Sequence, residues 1–204
     1  MRRGHRKTVL VIACGALANE IVELRRLNGW THLKIQCLPA DLHNRPKKIP
    51  DAVRAQIEEQ RDHFEHIFVA YADCGTGGML DKVLAEYGID RLPGVHCYEF
   101  FAGAAAFGEL VEAEIGTFYL TDFLTRHFDR LIKKGLGLDE HPELMSAYFG
   151  NYRRLVYLSQ TDSPRLETAA RAHADYLGLE YRHHHTGLGH LQQDIGEHIV
   201  QWQN

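Results

Sequence analysis

Apolar residues in this chain gather into short runs, separated by longer stretches in which they recur every three or four positions. The runs TVLVIAC (8–14), HLKIQC (32–37), IFVAYADC (67–74), RRLVYLSQ (153–160) and GLEYRHH (178–184) read as strands, mostly buried on both faces. Between them, ALANEIVELRRLN (16–28), IPDAVRAQIEEQRDHF (49–64) and SPRLETAARAHADYLG (163–178) have helical spacing. The last opens on Ser163-Pro164 and closes at Gly178, a helix start and stop. This alternation predicts an α/β protein with a mostly parallel sheet and Rossmann-like layers.

The stretch 98–150 breaks the rhythm. It is aromatic-rich and helical in pattern, and it reads as a helical insertion or cap on a single domain spanning 1–204. Within it, YEFFAGAAAF sets Phe100, Phe101 and Phe107 among small residues, a composition suited to excluding water from a site beneath.

A chain of 204 residues can bury one sizeable core, and 45% hydrophobic with 25% charged content is ordinary for a soluble globular protein. No run is long enough to span a bilayer, and the basic start MRRGHRK leads into Glu20 and Glu23 rather than a secretory pattern. The expectation is a cytoplasmic protein without a membrane partner. A net charge of -4 argues against nucleic acid, whose phosphates call for a basic face.

The chemistry gathers at predicted strand ends. Cys14, Cys37, Cys74 and Cys97 all stand there, where the connections of a parallel sheet converge and ligands bind. No C-x-x-C pair is present, so the spacing alone is no metal signature. The company is more telling: Cys37 leads into LPADLHNRP with His43, Cys74 follows Asp73, and Cys97 follows His96. Thiolate and imidazole together suit zinc or iron. The expected ligands are Cys14, Cys74 and Cys97 with His43 as a fourth, while Cys37 reads as a core residue. Using all four sulfurs would instead suit an iron–sulfur cluster.

In DCGTGGML, Gly75, Thr76, Gly77 and Gly78 read as a cradle of bare amides for an anionic group of a small-molecule ligand beside Cys74. It is neither a Walker loop nor a dinucleotide fingerprint. Near the other end, YRHHHTGLGHL places His183 and His185 on one face of a strand, a second metal or anion site or an exposed strand end. Asp162 stands at another strand end, where helix capping is its expected role.

The segments ACGALANEI, LPADLHNRP, YADCGTGG, HCYEFFAG and GTFYLTDF together resemble domain of unknown function family 1638, a bacterial and archaeal family. The resemblance brings no established activity. Its members are often encoded among corrinoid-dependent methyltransferase systems, which implies one-carbon metabolism and methyltransferase components as partners. The chain lacks the D-x-H-x-x-G motif of many corrinoid-binding domains, so no tightly bound corrinoid is expected. The combined expectation is a metal-binding protein of methyl-group or thiol metabolism, acting as a zinc- or iron-dependent transferase on a thiol or methyl donor. A non-catalytic carrier or methyltransferase accessory protein, and a homo-oligomer, also fit these features.

Overall fold

The computed structural model describes residues 8–200 and Trp202; the basic start of the chain lies outside them. In chain order the elements are β1 (Val9–Cys14), α1 (Ala18–Leu27), β2 (Leu33–Leu38), α2 (Ile49–Gln60), β3 (His66–Ala70), α3 (Met79–Tyr87), α4 (Tyr98–Ala102) and α5 (Ala104–Ala113). There follow β4 (Thr117–Thr121), α6 (Asp122–Arg126), a π-helical turn Asp129–Lys134, α7 (Leu144–Phe149), β5 (Arg154–Ser159), α8 (Pro164–Leu177), β6 (Glu180–His185) and α9 (Leu191–Val200). The chain is α/β, and every strand pairing in its two three-stranded sheets is parallel. It divides into two compact units, one from the described residues of Met1–Cys97 and Leu191–Asn204, the other Tyr98–His190.

In the first unit the sheet order is β2-β1-β3. β1 is central and all six of its residues are buried, which is why its sequence is an unbroken apolar run. β2 is an edge, so only Leu33 and Leu38 are buried while Lys34, Gln36 and Cys37 are exposed. α2 buries Ile49, Val53 and Ile57, the one face that a spacing of four residues produces. Beyond Ala70 the chain stays extended beside residues 90–95: Leu92 N–H donates to Val69 O (3.1 Å), Asp73 N–H to Gly94 O (3.2 Å) and Cys74 N–H to Val95 O (2.9 Å). Those bonds carry the segment ending in Cys97 to the rim where β1 and β3 end.

In the second unit the order is β4-β5-β6, with β5 central and buried from Leu155 to Ser159. α8 presents Leu166, Ala170, Ala174 and Leu177 to a core that includes Leu120, Leu155 and Tyr157. Truncating one such leucine to alanine costs about 2–5 kcal/mol. The segment expected to be a helical insertion contains β4, which pairs with β5 from Thr117↔Arg154 to Thr121↔Leu158. Five residues of TFYLT between two helical patterns are too few to declare a period, and pairing decides them. Phe107, expected in a lid, packs with Tyr119, Val156 and Leu158 in this unit's core.

Candidate metal centre

His43 comes from the 3₁₀ turn Ala40–Asn44 that follows β2, Cys74 from the loop after β3, and Cys97 from the end of the segment running beside that loop. Their ligand atoms all lie within 4.8 Å of one another. This is a His/Cys triad able to hold a metal ion, and it is the only such group of three among the described residues.

Cys14, expected as a ligand, stands outside the triad. It is buried at the end of β1, with its sulfur 3.5 Å from His43 Nδ1 and accepting from Ala16 N–H at 3.3 Å. We assign Nδ1–H as donor to Cys14, because a second donor satisfies the sulfur and fixes the tautomer of a ligating imidazole. Nε2, buried on the ring's other side, is then the nitrogen that offers a lone pair to a metal. The group behind the candidate ligand is thus a thiol rather than a carboxylate or a backbone carbonyl.

Local backbone geometry aims Cys74. Its φ of 50° makes it the only non-glycine residue with positive φ among the described residues. Such a conformation costs roughly 1–2 kcal/mol and persists only where neighbours hold it. Here Cys74 N–H is bound by Val95 O, and the next turn is tied to the preceding residue. Asp73 accepts from Thr76 Oγ1 at 2.6 Å, Gly78 N–H at 2.8 Å and Gly77 N–H at 3.0 Å. Burial opposes ionisation of Asp73, but these donors and Arg91 hold its pKa below the usual value.

The family described as protein of unknown function (DUF1638) matches residues 37–195. The chain belongs to this family. No curated protein and no solved structure matches it. The matched stretch takes in His43, Cys74 and Cys97 and leaves out Cys14.

Charge in the metal-free triad follows from proximity. Cys97 donates to Cys74, which together with His43 and the Ala72 backbone outweighs burial and lowers the Cys74 thiol to about 5. The same hydrogen bond, then burial, pushes Cys97 well above the usual thiol range. Burial lowers the pKa of His43, but the hydrogen bonds and charges of Cys14 and Cys74 overcome it and raise it to about 11. At neutral pH the group is therefore a Cys74 thiolate between a Cys97 thiol and a His43 imidazolium. Tyr71, unremarked in the sequence because it lay within an apolar run, stacks on His43 with ring centroids 6.5 Å apart. Burial and then Cys14 raise its hydroxyl pKa.

Two other expectations meet different surroundings. The amides of Gly77 and Gly78, expected to cradle a ligand with Gly75 and Thr76, are engaged by Asp73, and Thr76 is buried. The loop's glycines serve its shape: Gly75, Gly77 and Gly78 have φ of 83°, 63° and 78°. Cys37, expected in the core, is exposed, because an edge strand covers only part of its surface. Asp162 directly precedes the residue that caps α8: Ser163 accepts from Leu166 N–H.

Proposed function

We propose that this protein binds zinc or iron through His43, Cys74 and Cys97 and uses the site in methyl-group or thiol metabolism. The observation that carries the reading is the convergence of one imidazole and two thiols from three separate connections. Two sulfurs and a nitrogen match the donor preference of zinc and ferrous iron, and three protein ligands leave a fourth position for a small thiol or methyl donor. A bound metal of this kind keeps a thiol deprotonated at neutral pH. The protein's own residues supply the rest: Cys14 orients His43, and the loop bonds hold Cys74 and Cys97 in place. An all-sulfur cluster gains less support, with Cys37 exposed and Cys14 engaged by His43 and Ala16. On this reading, methyltransferase components are the partners that the resemblance implies. No helix among the described residues is long and apolar enough to cross a membrane.

Metal analysis of protein purified without oxygen tests the reading. About one zinc or iron per chain is expected, lost in Cys74→Ser and Cys97→Ser and retained in Cys37→Ser. Metal-free protein that takes up neither ion on reconstitution overturns it. For the activity, reconstituted protein that accelerates methylation of a small thiol in the presence of a corrinoid methyltransferase supports a catalytic role; unchanged rates favour a carrier.

A further inference from the structure

The second unit has a strand-end site of its own, and it does not rest on the metal centre. Ser159 ends central strand β5, and beside it β6 places His183 and His185 on one face, two residues apart. Ser159 Oγ lies 2.9 Å from His183 Nε2 and 2.9 Å from His185 Nδ1. A hydroxyl has one proton, so it donates to one ring and accepts from the other. Glu167 Oε2 faces His183 Nδ1 at 3.9 Å, and we assign the His183 proton to that nitrogen, which leaves a lone pair on Nε2. Ser159 O–H therefore donates to His183, and His185 N–H donates to Ser159.

The surroundings hold this arrangement. Tyr157 stacks on the His183 ring with centroids 5.2 Å apart and planes at 15°. Its hydroxyl donates at 2.6 Å to Asp122, which is buried and also receives Gln160 N–H at 3.1 Å. Glu167 uses its other oxygen on Arg171. A cavity of about 290 Å³ opens over the group, walled by Tyr157, Ser159, Thr161, Asp162, Ser163 and the two histidines together with Glu167. The wall Thr161–Ser163 leads into the fourteen-residue α8, with Ser163 as its cap, and a helix start favours developing negative charge.

We propose that Ser159 is a nucleophile, His183 its general base and Glu167 the positioning residue of an acyl-transfer site for small carboxylic esters. Ser159 Oγ attacks the ester carbonyl carbon while its proton passes to His183 Nε2. The ester C–O bond breaks, and the alcohol leaves with that proton. Water, deprotonated by His183, then cleaves the acyl–serine bond, releasing the acid and restoring Ser159. Nucleophile bonded to base, base faced by a carboxylate and an adjoining cavity are among the geometric requirements of such chemistry.

A fluorophosphonate probe tests this on the whole protein. Its P–F bond breaks as the serine O–P bond forms, leaving a stable adduct that peptide mass mapping locates. We expect one adduct, on Ser159, absent in Ser159→Ala. His183→Gln should slow labelling by about 10²–10⁴-fold, the usual contribution of a general base. Glu167→Gln should lower the limiting labelling rate without changing the half-saturating probe concentration, a split that general loosening of the fold would not give. Circular dichroism melts confirm that each variant is folded. No adduct on Ser159, equal labelling in Ser159→Ala, or a His183→Gln rate equal to the parent's overturns the proposal.

Discussion

Each unit ends its central strand in a residue bonded to an imidazole, and the two ends are built for different chemistry. In the first, Cys14 closes β1 and touches His43 at 3.5 Å; in the second, Ser159 closes β5 and touches His183 at 2.9 Å. The first histidine comes from a loop and meets thiols from two further connections, so three chain segments converge. In the second, both histidines belong to one strand, whose pleat sets their spacing before any tertiary contact forms. Convergent soft donors suit a metal ion; a hydroxyl already bonded to two imidazoles suits proton transfer. One strand-end geometry thus supports either use, and side-chain chemistry selects between them.

Replacing a ligand should break the comparison most severely. Cys74→Ser is expected to abolish stoichiometric metal, since it removes one of only three protein ligands from a binding event worth about 10–16 kcal/mol in small metal-dependent folds. Metal content and calorimetric affinity measure it. Ser159→Ala should leave metal content unchanged. A metal loss in that variant too would mean that the two ends are not independent.

A backbone change should act on the second unit next most strongly. Gly189 has φ of 51°, and a Cβ there would lie 1.9 Å from Phe101 O, deep inside contact distance. Gly189→Ala is expected to destabilise the protein by about 3 kcal/mol or more, combining backbone strain with a clash. Chemical denaturation checks the magnitude.

The sequence makes one of these two ends far more legible than the other. Cys14, Cys74 and Cys97 are visible because thiols at the ends of apolar runs are rare and chemically loud, and His43 because prolines bracket its loop. Their division into three candidate ligands and one supporting thiol is not visible, since the exclusion of Cys14 depends on which way the His43 ring turns. Ser159 is silent in sequence: a serine closing a strand is ordinary until the register sets His183 and His185 beside it. Glu167 reads only as a first-turn carboxylate of α8. The strand β4 escaped for a related reason, its short run of Thr, Phe and Tyr being assigned by pairing with β5 rather than by its own period. Edge or centre likewise decided that Cys37 is exposed, and strand order is a property of the assembled sheet.

Smaller effects distinguish support from ligation. Cys14→Ser keeps a hydrogen-bonding group behind His43 but replaces a large sulfur that already receives two donors. We expect metal affinity to fall by about 10–100-fold with stoichiometry intact, the usual range for a partner behind a metal-bound histidine. Cys37→Ser should change stability by less than about 0.5 kcal/mol, as for most exposed positions. Competition with a chelator of known affinity measures the first and a thermal melt the second.

The mildest test concerns the shape of a curve rather than its height. In metal-free protein Cys74 is depressed to about 5, so between pH 6 and 8 its thiolate population is close to saturation and changes little. Burial and then Cys14 raise the pKa of Cys37, so its thiolate is still accumulating about tenfold per pH unit in that range. Alkylation by iodoacetamide should therefore be flat with pH at Cys74 and rising at Cys37. Absolute rates at pH 7 should differ less than thiolate populations do, because nucleophilicity falls with thiol pKa, with a Brønsted slope of about 0.4–0.5. The same shifts carry opposite signs for stability. The depressed Cys74 contributes stability that is complete above the ordinary thiol pKa and lost as pH falls through about 5. The raised His43 contributes stability complete below its ordinary value and lost as pH rises through about 11. Peptide-resolved alkylation across pH 5–9 reads the first claim directly, and a Cys74 rate that climbs with pH in parallel with Cys37 would show that no thiolate–imidazolium pair forms.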